Sequence, residues 1–233
     1  NVDLEVLALN VMGDAYRDLA QYDLALRAHN ESLAIDRRLG RRNTEVADLL
    51  SIATTYEEIG RAAEGLELAR QAAAIAREIH AEGDEASAYR TAGNSLLTLG
   101  RPADALEMHR RSLALHEKNH SAEGIAGDQA NMASAYLDLG QYGSTLELLA
   151  KALEYFRGAG NRMNEAIVLG QAAEAYRAFG QPARSLEYAR QAARAIGAEQ
   201  VRFDQAQLIA RLRGAQHVVD HRVHHRQQAV VHA

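Results

Sequence analysis

The chain has no cysteine and no tryptophan, only two prolines, and lysine only at Lys118 and Lys151. The lack of cysteine excludes disulfides and thiolate metal sites. With proline confined to Pro102 and Pro182, long helices can run unbroken. Aromatics make up 5% of the residues, and alanine and leucine dominate, a composition for close helix–helix packing and not for a sheet. No apolar run approaches the roughly 18–20 residues of a membrane span, so no membrane partner is expected. The formal net charge of −5 gives no overall pull toward nucleic acid or anionic lipid. The phosphate-loop pattern G-x-x-x-x-G-K-[ST] and the patterns H-E-x-x-H and G-x-S-x-G are all missing. Neither an enzyme nor a cofactor is therefore expected. The chain begins at Asn1 without methionine, and no signal peptide is visible, which reads as a cytoplasmic fragment of a larger protein. Arginine in place of lysine reads as the codon bias of a GC-rich, bacterial genome.

What the chain does have is arithmetic. Tyr16, Tyr56, Tyr136 and Tyr176 lie on a grid with a 40-residue step, with Leu96 at the remaining point. Three residues before each grid point come Gly13, Ala53, Gly93, Ala133 and Ala173; four after come Ala20, Gly60, Gly100, Gly140 and Gly180. A fixed period in this range means one supersecondary unit stacked on copies of itself. Leu9, Met12, Tyr16 and Leu19 mark one apolar helix face, and Leu24, Leu26, His29, Leu33 and Ile35 a second, closed by Gly40. Thr44 is the expected N-cap of the next unit. The unit is a hairpin of two helices of roughly 15 residues each, and neither helix can hide its face alone. Ala25, Gly65, Ala105, Thr145 and Ser185 supply the small residue of the second helix. Gly60, Gly100, Gly140 and Gly180 are expected to end the first helices in the left-handed conformation. Pro102 and Pro182 then fall in the first turn of the helix that follows, where proline is tolerated.

These residues resemble the tetratricopeptide repeat. The match runs through Leu9, Met12, Gly13 and Tyr16 with Ala25, His29 and Ser32; then Leu49, Ile52, Ala53 and Tyr56; then Tyr89, Ala92, Gly93 and Leu97; then Met132, Ala133, Tyr136 and Gly140; and then Leu169, Ala172, Ala173 and Tyr176. The 40-residue step, longer than the family's usual 34, is similar to the subgroup found in kinesin light chains, bacterial signalling ATPases and transcription activators. The resemblance implies an all-α, right-handed α-solenoid of about five stacked hairpins over residues 1–213. The repeats fall at about 3–42, 43–82, 83–122, 123–162 and 163–202, with a partial capping helix at 203–213. Residues 214–233 form a His/Val-rich tail, expected to be disordered or weakly packed. His217, His221 and His225 would share a helix face as metal ligands, but no carboxylate or cysteine completes a shell, so no metal site is assigned.

In this family the first helices line a concave wall that holds a peptide or partner domain. The positions flanking the small residue are then the expected contacts: Asn10, Asp14 and Arg17; Thr54 and Glu57; Arg90 and Asn94; Asn131, Ser134 and Asp138; Gln171, Glu174 and Arg177. Asn94 and Asn131 are the expected clamps on peptide backbone, since an amide donates and accepts at once, while Val11 and Ser51 break that ladder in the first two repeats. The same polar groups can also be read as a solvated face. His29 and His109 recur at one register. They can be read as an acid–base pair, but packing in place of the family's aromatic is the favoured reading. His80 and His120 recur as expected caps of helix carbonyls, and the outer arginines Arg37, Arg38, Arg77, Arg110 and Arg111 as a solvated surface. The function implied is a protein-interaction scaffold for a protein or peptide, without direct nucleic-acid contact. The alternative is the sensor arm of a larger bacterial signalling ATPase or transcription regulator. Self-association through the repeat ends is a further partner class.

Overall fold

A computed structural model describes residues 2–197. Among them the chain forms ten α-helices and no strand. They are α1 (Val2–Asp18), α2 (Tyr22–Leu39), α3 (Arg42–Glu58), α4 (Ala62–Glu78), α5 (Glu82–Thr98), α6 (Pro102–Lys118), α7 (Ala122–Asp138), α8 (Tyr142–Gly158), α9 (Arg162–Ala178) and α10 (Pro182–Ile196). Most are 17 residues long, about half a turn more than the spacing suggested. The helices pair as five antiparallel hairpins, and each second helix packs in turn on the first helix of the next hairpin. Consecutive first helices also touch, α1 with α3, α3 with α5, α5 with α7 and α7 with α9, with no comparable contact between second helices. The stack is an all-α solenoid. The expected capping helix at 203–213 and the tail lie outside the described residues, as do His217, His221 and His225.

Each helix ends the same way. At every twentieth position from 20 to 180 the backbone turns left-handed, with φ between 54° and 79°. The residue after it bonds back across the helix end, as Arg61 N–H does to Tyr56 O at 2.7 Å and Gln141 N–H to Tyr136 O at 2.8 Å. This closure satisfies carbonyls that the helix end would orphan. Six of these joints are glycines, and the other three are Ala20, His80 and His120. The two histidines therefore do not cap with their rings. Their own backbone N–H groups do so, to Arg77 O and Glu117 O. Thr44 is not an N-cap either. Arg41 holds that position, and Thr44 Oγ1 donates to Arg41 O at 3.1 Å from inside the helix. Pro102 and Pro182 open α6 and α10 at the first helical position.

The small grid residues are buried where the hairpins close. Ala53 and Ala133 are fully covered, and Gly13 and Gly93 are buried as well. The tyrosines are only half-buried. Three of them meet arginines: Arg61 lies 4.5 Å from the Tyr56 ring centroid, Arg184 lies 5.6 Å from that of Tyr176, and Arg110 donates to Tyr136 Oη at 3.0 Å. Leu96, the grid point without a ring, is the one taken fully into the core. Nor is the outer surface of the second helices merely solvated. Arg37, Arg77 and Arg157 each donate at 2.9 Å to an acid eight residues on, Glu45, Glu85 and Glu165, and so tie one hairpin to the next. The first hairpin departs from expectation. Met12 and Leu19 of its apolar face are 46% and 67% exposed, since α1 packs only on α2 and α3 among the described helices.

Candidate interaction groove

The expected contact residues divide into two groups by environment. Toward the N-terminal end they turn to neighbours within the chain. Asp14 pairs with Arg17 at 3.0 Å, and Asn10 Oδ1 lies 3.4 Å from His29 Nδ1. Thr54 Oγ1 donates to Leu50 O one turn back. Glu57 accepts a hydrogen bond from Ser95 Oγ on α5. Burial, assisted by the charge of Glu58, pushes the Glu57 carboxyl up to about 7.

Toward the C-terminal end the residues surround open space. A cleft of about 440 Å³ is lined by Arg90 of α5, Asn131 of α7 and Gln171 of α9, over a floor of Phe156, Val168 and Ile167. α7 lines it with two glycines: at Gly127 an added Cβ would meet nothing within 4 Å, while at Gly124 it would stand 2.4 Å from the His116 ring. A second cleft of about 150 Å³ is lined by Ser134, Asp138, Gln171 and Glu174. Gln171 belongs to both. Its Nε2 donates to Ser134 Oγ at 3.0 Å, while its Oε1 is buried without a partner. The side chains of Arg90, Asn94 and Asn131 make no hydrogen bond or ion pair with any described residue, and each is half-buried. Asn94 and Asn131 do not stand at one register, however: Asn94 aligns with Thr54 and Ser134, whereas Asn131 aligns with Thr91 and Gln171. Only Asn131 reaches the large cleft; Arg177 is exposed and lines neither.

Sequence reasoning passed over several buried polar groups. His116 lines the large cleft and its Nδ1 meets Asp128 Oδ2 at 2.7 Å, while Ser112 Oγ donates to Asp128 Oδ1 at 2.9 Å. Burial raises the Asp128 carboxyl against the opposing pull of His116 and Ser112. A further cleft of about 330 Å³ opens between α4 and α6, lined by Arg70, Arg77, Arg101 and Arg111 among alanines. The signal for the first was present as an 80-residue recurrence: Gly13, His29, Ser32 and Asp48 return as Gly93, His109, Ser112 and Asp128. His29 and His109 themselves are packing residues, 1% and 0% exposed. Each ring fills the space left by a glycine; a Cβ on Gly13 would stand 2.5 Å from the His29 ring, and one on Gly93 would stand 2.4 Å from that of His109. Desolvation lowers both, His109 to about 4, so it is held neutral. Among the described residues no group of three His, Cys, Asp or Glu side chains could hold a metal ion.

The tetratricopeptide repeat model matches residues 45–118 and 128–196, more than half of the chain. The chain belongs to the tetratricopeptide repeat family. The solved structures most like this repeat solenoid include a Rap protein complexed with competence and sporulation factor, 16% identical with a TM-score of 0.75 over 82% of this chain. They also include aspartyl phosphate phosphatase F from Bacillus subtilis, 14% identical, TM-score 0.70, over 82% of this chain. A third is a Podosopora anserina kinesin light chain with nearly identical TPR-like repeats, 19% identical, TM-score 0.65, over 86% of this chain and 96% of that one. At these identities the likeness is one of fold. The repeat solenoid spans 54% of the Rap chain and 50% of the phosphatase chain. No curated protein matches it in sequence. No described helix is long and apolar enough to cross a membrane.

Proposed function

We propose that the solenoid is a protein-interaction scaffold that holds a peptide or partner domain along the inner faces of its first helices, centred on the cleft between α5, α7 and α9. One observation carries this reading. Around that cleft stand a guanidinium (Arg90) and an amide (Asn131) that make no hydrogen bond or ion pair with any described residue, beside a buried acceptor, Gln171 Oε1, that no described residue satisfies. An unpaired buried acceptor is costly and an extended backbone N–H would satisfy it. The floor of Phe156, Val168 and Ile167 offers apolar area beside these groups. The fold shared with a Rap protein bound to competence and sporulation factor supports the reading. The role is non-catalytic: binding is the whole activity of the groove.

A second reading is favoured by one finding. The chain corresponds to about half the length of the Rap protein it resembles. In that reading the solenoid is the sensing arm of a larger bacterial regulator in the cytoplasm, and the groove is where its inducer binds.

The test is the variant Asn94→Ala with Asn131→Ala, joined in a second variant by Arg90→Ala. Affinity capture with wild-type protein as bait should retain a specific partner. The triple variant should lose it, while the melting temperature stays within a few degrees, because half-buried groove residues carry little of the fold's stability. Retention of the same partner by the triple variant would show that binding lies elsewhere on the solenoid.

A further inference from the structure

The joint between α2 and α3 buries two carboxylates that the structure leaves without a hydrogen bond. Asp36 and Asp48 are 0% and 1% exposed, and none of their four carboxylate oxygens accepts a hydrogen bond. Ser32, fully buried beside them, has no partner for its hydroxyl. It lies near enough to Asp48 to favour that charge, as does Asn10 of α1, but neither forms a bond of normal geometry. The same three registers in the other joints resolve the problem differently. Between α4 and α5 they hold Ala72, Ala76 and Ala88, and between α8 and α9 Ala152, Phe156 and Val168. Between α6 and α7 they hold Ser112, His116 and Asp128, where both carboxylate oxygens have a donor. The first joint has an acid, Asp36, where the third has its donor, His116.

We propose that Asp48 holds a proton in this joint, beside the Asp36 carboxylate, and that this proton locks the first hairpin onto the second. Two neighbouring charges in a dry joint are far costlier than one charge and one neutral acid. The surrounding charges leave the proton this role. Arg41 in the turn stands 3.7 Å from Asp36 Oδ1 and is shared with Asp3 of α1. Glu45 of α3 is occupied by Arg37 and Arg42. His29 of α2 faces Asp14 of α1 at 3.7 Å. α4 brings the apolar residues Ala72, Ala73, Ile75 and Ala76 into the core with Val46 and Leu49. Asp48, the member without a cation, has its carboxyl pushed up to about 6, first by burial and further by Asp36 and Glu45. A folded-state value above the unfolded one means stability gained as pH falls through about 6 and lost as pH rises. Because α1 and α2 carry Asn10, Asp14 and Arg17, the lock also sets where that end of the solenoid points. The proposal stands on the joint alone and does not depend on the groove reading.

The experiment compares melting of the wild-type chain and Asp48→Asn, which mimics the neutral acid, from pH 8 to pH 5. The variant should melt higher than wild type at pH 8, and the gap should narrow steadily as pH falls to 5. A gap that is constant with pH, or a variant that melts lower throughout, overturns the proposal. Added Ca²⁺ or Mg²⁺ that raises the wild-type melting temperature at pH 8 but not the variant's would mean a metal fills the joint, and overturns it equally. If Asp48→Asn does not fold, hydrogen exchange of the wild type decides. Corrected for intrinsic rates, protection of α2 and α3 amides should rise at least tenfold more between pH 8 and 5 than that of α4 and α5; an equal change refutes the lock.

Discussion

At the scale of single residues the solenoid works by paired sizes. Gly93 and His109 are one such pair, since the ring occupies the volume that a side chain on residue 93 would need. The second repeat solves the same register with Ala53 and Ala69, both fully buried. This makes a coupled prediction. Gly93→Ala should cost roughly 2–3 kcal/mol, because the Cβ overpacks a ring that close packing prevents from moving. His109→Ala should also destabilise, by opening a cavity. The double variant rebuilds the second repeat's solution, so its cost should fall well below the sum of the two, as a double-mutant cycle of urea denaturation would measure. Additive costs would mean that the glycine and the ring do not share the space. The small residues were legible in the sequence because every repeat needs them at one register. The burial of Asp36, Asp48, Ser112 and Asp128 was not, since a charged residue on a helix reads as solvent-facing until the neighbouring helix is known. The tyrosines fall between. Their period placed them at the hairpin contact, but period alone gives the face and not the depth, and they lie at its edge.

At the scale of elements the structure is governed by its joints. The sequence showed a glycine every 40 residues; the backbone repeats the same left-handed turn every 20, with Ala20, His80 and His120 at three of the points. The sequence hid a third of the pattern because a side chain can be forced into that conformation at a cost of roughly 1–2 kcal/mol. His120 is exposed, and its ring makes no hydrogen bond with any described residue that would compensate. His120→Gly should therefore stabilise the chain by about 0.5–1 kcal/mol, the relief of strain being partly offset by the greater freedom of glycine in the unfolded chain. The measurement is the midpoint of urea unfolding at unchanged slope. A loss of stability would show that the imidazole itself holds the turn. Gly140→Ala at the equivalent joint should shift the midpoint in the opposite direction. The groove was legible at this scale only in outline. The repeat told which helices line it, but the large cleft is lined jointly by Arg90 of α5, Gly127 of α7, Phe156 of α8 and Ile167 of α9, from three hairpins, and no single repeat contains that information.

For the molecule as a whole, the buried titratable groups oppose one another. Glu57 and Asp48 have carboxyls pushed up to about 7 and about 6, so each adds stability as pH falls from neutrality toward the unfolded values near 4. His109, lowered to about 4, and His29, lowered as well, do the reverse. Their rings are neutral when folded and protonate when unfolded, so stability is lost as pH falls below the unfolded value of about 6.5. The two sets span nearly the same window with opposite sign. The wild-type free energy of unfolding should consequently vary little between pH 8 and pH 5, although single groups within it titrate strongly. Replacing one side of the balance exposes the other. His109→Leu copies the fourth repeat, where Leu149 fills this register and is 2% exposed. That variant should become more stable on acidification from pH 7 to pH 5, followed by urea denaturation at each pH, while the wild type stays level. A wild type that loses stability steeply over this range, with the variant level, would mean that the histidine term outweighs the acids and that Glu57 and Asp48 are ionised in their buried sites.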